Sequence, residues 1–196
     1  MKTAFVIFDR MTALDFIGAY DPLTRLKSMQ IIPDFDWDIC AVAEEVADDK
    51  GMSFTPGFVA EPLSKYDLVV VPGGFGTRTL QHDKAFVDWL RTSEPVKLKA
   101  SVCTGSLLLG AAGFLKGKRA TTHPSAFEEL KPYCAQVVDE RVVDEGEIVT
   151  ARGVTSAIDL GLYLVERLSS AEARKRVAKQ MDYPYVWQTA GAQNAV

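Results

Sequence analysis

Leu68-Val69-Val70-Val71 runs into Pro72-Gly73-Gly74-Phe75-Gly76, and further on Lys99-Ala100-Ser101-Val102 runs into Cys103-Thr104-Gly105-Ser106 ahead of the apolar stretch Leu107–Ala112. Both runs are short and pass through a glycine-bearing turn toward a helix; the first is wholly apolar, while the second carries Lys99 and Ser101. A strand with one wet face would alternate polar and apolar residues; strands buried on both faces read as continuous apolar runs, and these belong to parallel sheets. Working outward, Thr3–Phe8, Trp37–Val42 and Glu147–Thr150 read as further strands, with two short ones near Gln136–Val138 and Arg141–Val143. Between them lie helical-period segments at Leu14–Met29, Asp83–Arg91, Ser125–Leu130, Thr155–Leu168 and Ala171–Met181. This alternation predicts an α/β fold built from βα units.

Local signals refine the pattern. Asp83 is placed to cap the helix that follows it, and Gly113 to stop the helix at Leu107–Ala112. Pro22 falls inside the first helical segment and is expected to kink it or to mark its start. Met52–Val59, broken by Pro56 and Gly57, reads as a short hairpin at the sheet edge. No linker, repeat or low-complexity tract interrupts the 196 residues, so a single domain over 1–196 is expected. Tyr183-Pro184-Tyr185-Val186-Trp187 leaves the regular pattern.

Composition bounds the function. Apolar residues make up 47% and charged residues 24%, the balance of a globular chain. A net charge of −4 gives no basic surface for nucleic acid, since neutralising phosphates needs clustered Lys and Arg. The longest charge-free stretch, the sixteen residues Ala100–Leu115, is short of the roughly 18–20 apolar residues of a membrane span and contains three glycines. The N-terminal run Ala4–Phe8 is too short for a signal-peptide core. A cytoplasmic protein without membrane or nucleic-acid partners is expected. Cys40, Cys103 and Cys134 show neither metal spacing nor a disulfide framework, and with only His82 and His123 available no metal site is expected.

Ligands of open parallel sheets bind beyond the carboxyl ends of the strands, where both glycine-bearing turns lie. Cys103 stands at a strand-to-helix turn, a position that holds a side chain out of the sheet. A helix N-terminus there favours the thiolate and can lower a thiol pKa from about 8.5 to as little as 3.5. The competing reading is a buried structural cysteine. Asp15, in Leu14-Asp15-Phe16-Ile17-Gly18, lies just after the first strand; a carboxyl between Leu14 and Phe16 would be desolvated and suited to proton transfer, or it is a plain helix cap. His123 follows Ala120-Thr121-Thr122 and is a candidate cysteine partner, substrate-binding group or helix cap. Phe16, Ile17 and Phe75 are candidates for a pocket wall or for the core. Gly73-Gly74-Phe75-Gly76 is neither a phosphate loop nor a dinucleotide fingerprint, and Ser106 lacks the context of a serine nucleophile.

Taken with Ala19-Tyr20-Asp21-Pro22 and Gly117-Lys118-Arg119-Ala120-Thr121-Thr122-His123, these blocks resemble the DJ-1/PfpI superfamily over nearly the whole chain, and more narrowly its isonitrile hydratase branch. The resemblance implies a flavodoxin-like three-layer α/β/α sandwich with a mostly parallel sheet, assembled as a homodimer and needing no cofactor. It implies Cys103 as elbow nucleophile, Asp15 as the acid beside its sulfur, and Thr104 as the residue following it. Gly73 and Gly74 would bind substrate, with Gly74 and the Cys103 N–H as an anion-stabilising pair; His123 keeps the superfamily spacing. The reaction implied is water addition to a small electrophile, an isonitrile, to give a formamide. Thr104 stands where protease-like members have histidine, and Asp15 where DJ-1-like members have glutamate. Glyoxalase or deglycase action on methylglyoxal-type carbonyls, cysteine redox sensing, and non-catalytic ligand binding are the competing functions on the same scaffold.

Overall fold

The computed structural model describes residues 1–184. The first half contains β1 (Lys2–Val6), α1 (Ala13–Ser28), β2 (Asp36–Ala41), β3 (Val46–Ala47), β4 (Ser53–Phe54), β5 (Phe58–Val59), β6 (Leu68–Val71), α2 (Thr77–Leu80) and α3 (Lys84–Arg91). There follow β7 (Leu98–Val102), α4 (Gly105–Ala111), β8 (Arg119–Ala120), α5 (Phe127–Leu130), β9 (Gln136–Val137), β10 (Val142–Asp144), β11 (Ile148–Ala151), α6 (Ser156–Leu168) and α7 (Ala171–Gln180). Single turns of tighter helix precede β6 and flank α5.

One seven-stranded sheet runs in the order β10-β11-β7-β6-β1-β2-β5, parallel except where β10 meets β11. Every residue of β6 and β7 is buried, the unbroken apolar run of β6 and also Lys99 and Ser101 of β7. Each Val or Leu so buried contributes roughly 1.5–3 kcal/mol. Helices α1, α6 and α7 pack together, and α2, α3 and α5 gather around α4, giving the helical layers of an α/β/α sandwich. The chain fills β1, β2 and β5 before returning to β6 on the other side of β1. That reversal opens a crevice at the carboxyl ends of β1 and β6.

The proline in α1 neither starts nor ends the helix. Pro22 is buried at the crossing with α6, where a Cβ on Gly161 would stand 2.8 Å from its Cγ. Gly18 makes the same crossing, its missing Cβ leaving room for Ala157. The expected caps form: Asp83 accepts the N–H groups of Ala85 and Phe86, at 2.8 and 3.2 Å. Gly113 adopts φ +94° and donates to Gly110 O.

The expected edge hairpin over Met52–Val59 does not form. β4 pairs antiparallel with β3, and β5 adds to the sheet edge parallel to β2. Pro56 and Gly57 separate two strands that belong to different sheets. α2 and β8 carried too few residues to register as patterns, and β9 pairs with β8 outside the main sheet. No helix among the described residues is long and apolar enough to cross a membrane. The expectation attached to Tyr185 and Trp187 lies outside the described residues.

Candidate active site

Cys103 follows the last residue of β7 and adopts φ +55°. That left-handed conformation costs a non-glycine residue about 1–2 kcal/mol, so its surroundings must hold it. Its N–H donates to Ala151 O at 2.8 Å, and its carbonyl accepts the Thr122 hydroxyl at 2.9 Å and the Ser106 hydroxyl at 3.1 Å. Two glycines make the elbow possible: a Cβ on Gly105 would lie 2.4 Å from Val71 O, and one on Gly153 would lie 2.4 Å from Cys103 Cβ. Gly153 escaped the sequence reading. Its signal was the one used for Gly73, a glycine just past the end of a buried strand.

Asp15 sits in the first turn of α1 and is fully buried. It caps nothing there. The carboxyl turns inward, Oδ2 accepts the Gly73 N–H at 3.2 Å, and the Cys103 thiol lies beside it. Oδ1 has no conventional hydrogen-bond partner among the described residues. Burial pushes the carboxyl up to about 7, against the opposing pull of the thiol and the Gly73 N–H. The thiol is itself pushed up to about 12, by burial and by the charge Asp15 carries when ionised. The lowering expected at a helix N-terminus is not seen at Cys103: desolvation and the neighbouring carboxyl outweigh the Thr104 N–H and hydroxyl, which favour the thiolate.

Gly73 is where these groups converge. A Cβ there would stand 2.6 Å from Thr104 N, 2.7 Å from Cys103 Cβ and 2.9 Å from Asp15 Oδ2. Gly73→Ala should therefore cost about 1–3 kcal/mol of stability, as overpacking does, and force the carboxyl and thiol apart. A lower urea midpoint and slower thiol alkylation at fixed pH are the expected results. Unchanged alkylation would remove Gly73 from the site.

The Gly74 N–H donates to Thr104 Oγ1 at 3.0 Å, with that hydroxyl 3.1 Å from Gly74 O, and the Cys103 N–H is held by Ala151. Both members of the anion-stabilising pair implied by resemblance are thus already engaged. His123 touches neither Cys103 nor Asp15 by hydrogen bond; Nδ1 lies 2.8 Å from Ser125 Oγ and 3.3 Å from the Ser125 N–H. Asp15, Cys103, Thr104 and Gly73 come together, Gly74 borders them, and His123 stands on the wall of a cleft of about 250 Å3 whose lining includes Cys103, Thr104, Phe75 and Val154. Phe75 is 59% exposed at this cleft, whereas Phe16 is buried among Phe5, Tyr20 and Phe54, and Ile17 is exposed away from it. Cys40 is buried against the Tyr66 hydroxyl, and Cys134 contacts Leu130 O.

The raised carboxyl makes stability depend on pH. Because the folded state holds the proton more tightly than the unfolded chain, whose carboxyl titrates near 3.8, the stabilisation is full below that value and is lost as pH rises through about 7. The loss is at most on the order of 4 kcal/mol. Asp15→Asn should therefore gain stability relative to the wild type between pH 4 and 8; parallel unfolding midpoints across that range would show the carboxyl is not desolvated.

The structure thus presents an α/β protein with a strained cysteine at a strand-to-helix elbow, beside a buried carboxyl at the carboxyl ends of a mostly parallel sheet. The DJ-1/PfpI family model matches residues 1–167, and the chain belongs to that family. Isonitrile hydratase of Pseudomonas putida is 35% identical over 186 residues, 93% of this chain and 78% of that protein. Protein DJ-1alpha of Drosophila melanogaster is 38% identical over 122 residues, 61% of this chain and 56% of that protein. The crystal structure of a ThiJ/PfpI family protein from Pseudomonas syringae superposes with a TM-score of 0.85 at 28% identity, covering 97% of this chain and 78% of that one.

Proposed function

We propose that the protein is a cysteine-dependent hydratase that adds water to isonitriles, R–N≡C, to give N-substituted formamides. The observation that carries this reading is the buried pair: a carboxyl poised near neutrality stands behind an un-ionised thiol that lines a small cleft. Similarity to an isonitrile hydratase over most of the chain supports it.

The competent form has Asp15 as carboxylate and Cys103 as thiol. Sulfur attacks the terminal isonitrile carbon while Asp15 takes the thiol proton, since a thiol near 12 supplies little standing thiolate. The Thr104 N–H and hydroxyl stabilise the charge on sulfur during transfer. Asp15 then passes the proton to the same carbon, giving the thioimidate Cys103–S–CH=N–R. Water adds to that carbon with Asp15 as base; nitrogen takes one proton, the C–S bond breaks, and R–NH–CHO leaves as the thiol is restored. Atoms balance with water alone, so the scheme calls for no cofactor. We place the enzyme in the cytoplasm as a homodimer acting on a small electrophile.

The high thiol value weighs against redox sensing, which draws on low-pKa cysteines. Formamide production from a simple aryl isonitrile tests the reading. D-lactate from methylglyoxal with no formamide would replace hydration by glyoxalase chemistry.

A further inference from the structure

The cleft that Cys103 lines also carries Lys50, Arg78 and His123, with the exposed Phe75 among them. Arg78, on α2, is two-thirds buried. Its Nε and Nη2 bond Glu129 Oε1 at 3.2 and 3.0 Å, and its guanidinium carbon lies 5.8 Å from the Phe75 ring centroid. A guanidinium has five N–H groups. Nη1 makes no hydrogen bond among the described residues, so the guanidinium, held in place by its pair with Glu129, keeps donors in hand. Ser125 N–H donates to Nδ1 of His123, which leaves the proton of the neutral ring on Nε2 as a further donor. Lys50 bonds Asp49, which lines the same cleft, so that pair adds donors but little net charge.

An isonitrile must meet Cys103 end-on through its terminal carbon, so the rest of the molecule occupies the cleft that Arg78, Lys50 and His123 also line. Building on the hydratase reading, we propose that the preferred substrate is an acidic isonitrile, with an apolar or aromatic body against Phe75 and a carboxylate taken by Arg78, assisted by His123 Nε2–H and Lys50. Arg78 is then the specificity-determining residue. Its planar fork matches a carboxylate where a lysine would not.

The test compares kcat/KM for 4-isocyanobenzoate and its neutral methyl ester in the wild type, Arg78→Gln and Lys50→Gln. The acid should be favoured by about tenfold or more, the size of a charge-assisted hydrogen bond. The acid-to-ester ratio should collapse toward one in Arg78→Gln, fall less in Lys50→Gln, and decline with salt in the wild type. The salt series keeps the test open if Arg78→Gln folds poorly. Equal turnover of acid and ester, or a ratio unmoved by Arg78→Gln, overturns the acidic-substrate assignment and leaves hydration standing. Formamide from neither substrate overturns both.

Discussion

Cys103→Ala is expected to reduce formamide production by about a thousandfold or more, because it removes the atom that bonds to substrate. The variant should fold. Alanine at φ +55° carries the same left-handed penalty as cysteine, and the carbonyl clamps from Thr122 and Ser106 act on the backbone and survive the change. Loss of the thiol removes a hydrogen-bonding group from Asp15 but leaves the elbow backbone as it was, so the variant separates chemistry from architecture. Circular dichroism should match the wild type while turnover disappears. Activity within tenfold of the wild type would mean that water, activated by Asp15 alone, attacks the isonitrile directly.

Asp15→Asn is expected to cost about 10²–10⁴ in kcat/KM, the usual contribution of a positioned acid or base. The amide fills the same space but cannot accept the thiol proton. The wild-type profile should rise with pH through about 7, as the carboxylate forms, and then hold level toward the thiol value near 12. In Asp15→Asn that rise should vanish, leaving a small activity that climbs only as the thiol itself ionises. A retained inflection near 7 in the asparagine variant would assign the titration to another group. In the wild type the same ionisation that switches activity on lowers stability, since it places a charge in the interior.

Much of this architecture could be read from local sequence. The run Leu68–Val71 is continuous and apolar because both faces of the sheet are covered, and the glycines after it and after Cys103 mark close backbone approach. What escaped was set by long-range contact. Ser53–Phe54 pairs with Val46–Ala47 while Phe58–Val59 pairs with Cys40–Ala41, so a proline and a glycine that resembled a hairpin turn separate unrelated partners. Gly153 touches Cys103 only because β11 lies beside β7. Asp15 is desolvated as its neighbours suggested, but for a different reason. Leu14, adjacent in sequence, is 44% exposed, and it is the turn of α1 that carries Asp15 inward. The upward shift of Cys103 comes first from burial of the thiol and then from the Asp15 charge beside it, neither of which spacing reveals.

A covalent bond between Cys103 and substrate is the central step of the proposed reaction. Wild-type enzyme mixed with an aryl isonitrile, acid-quenched during a single turnover and mapped by peptide mass spectrometry, should carry one substrate mass on the peptide containing Cys103. That adduct should decay as formamide appears. Full turnover with no adduct, or an adduct confined to the peptides holding Cys40 or Cys134, would contradict it.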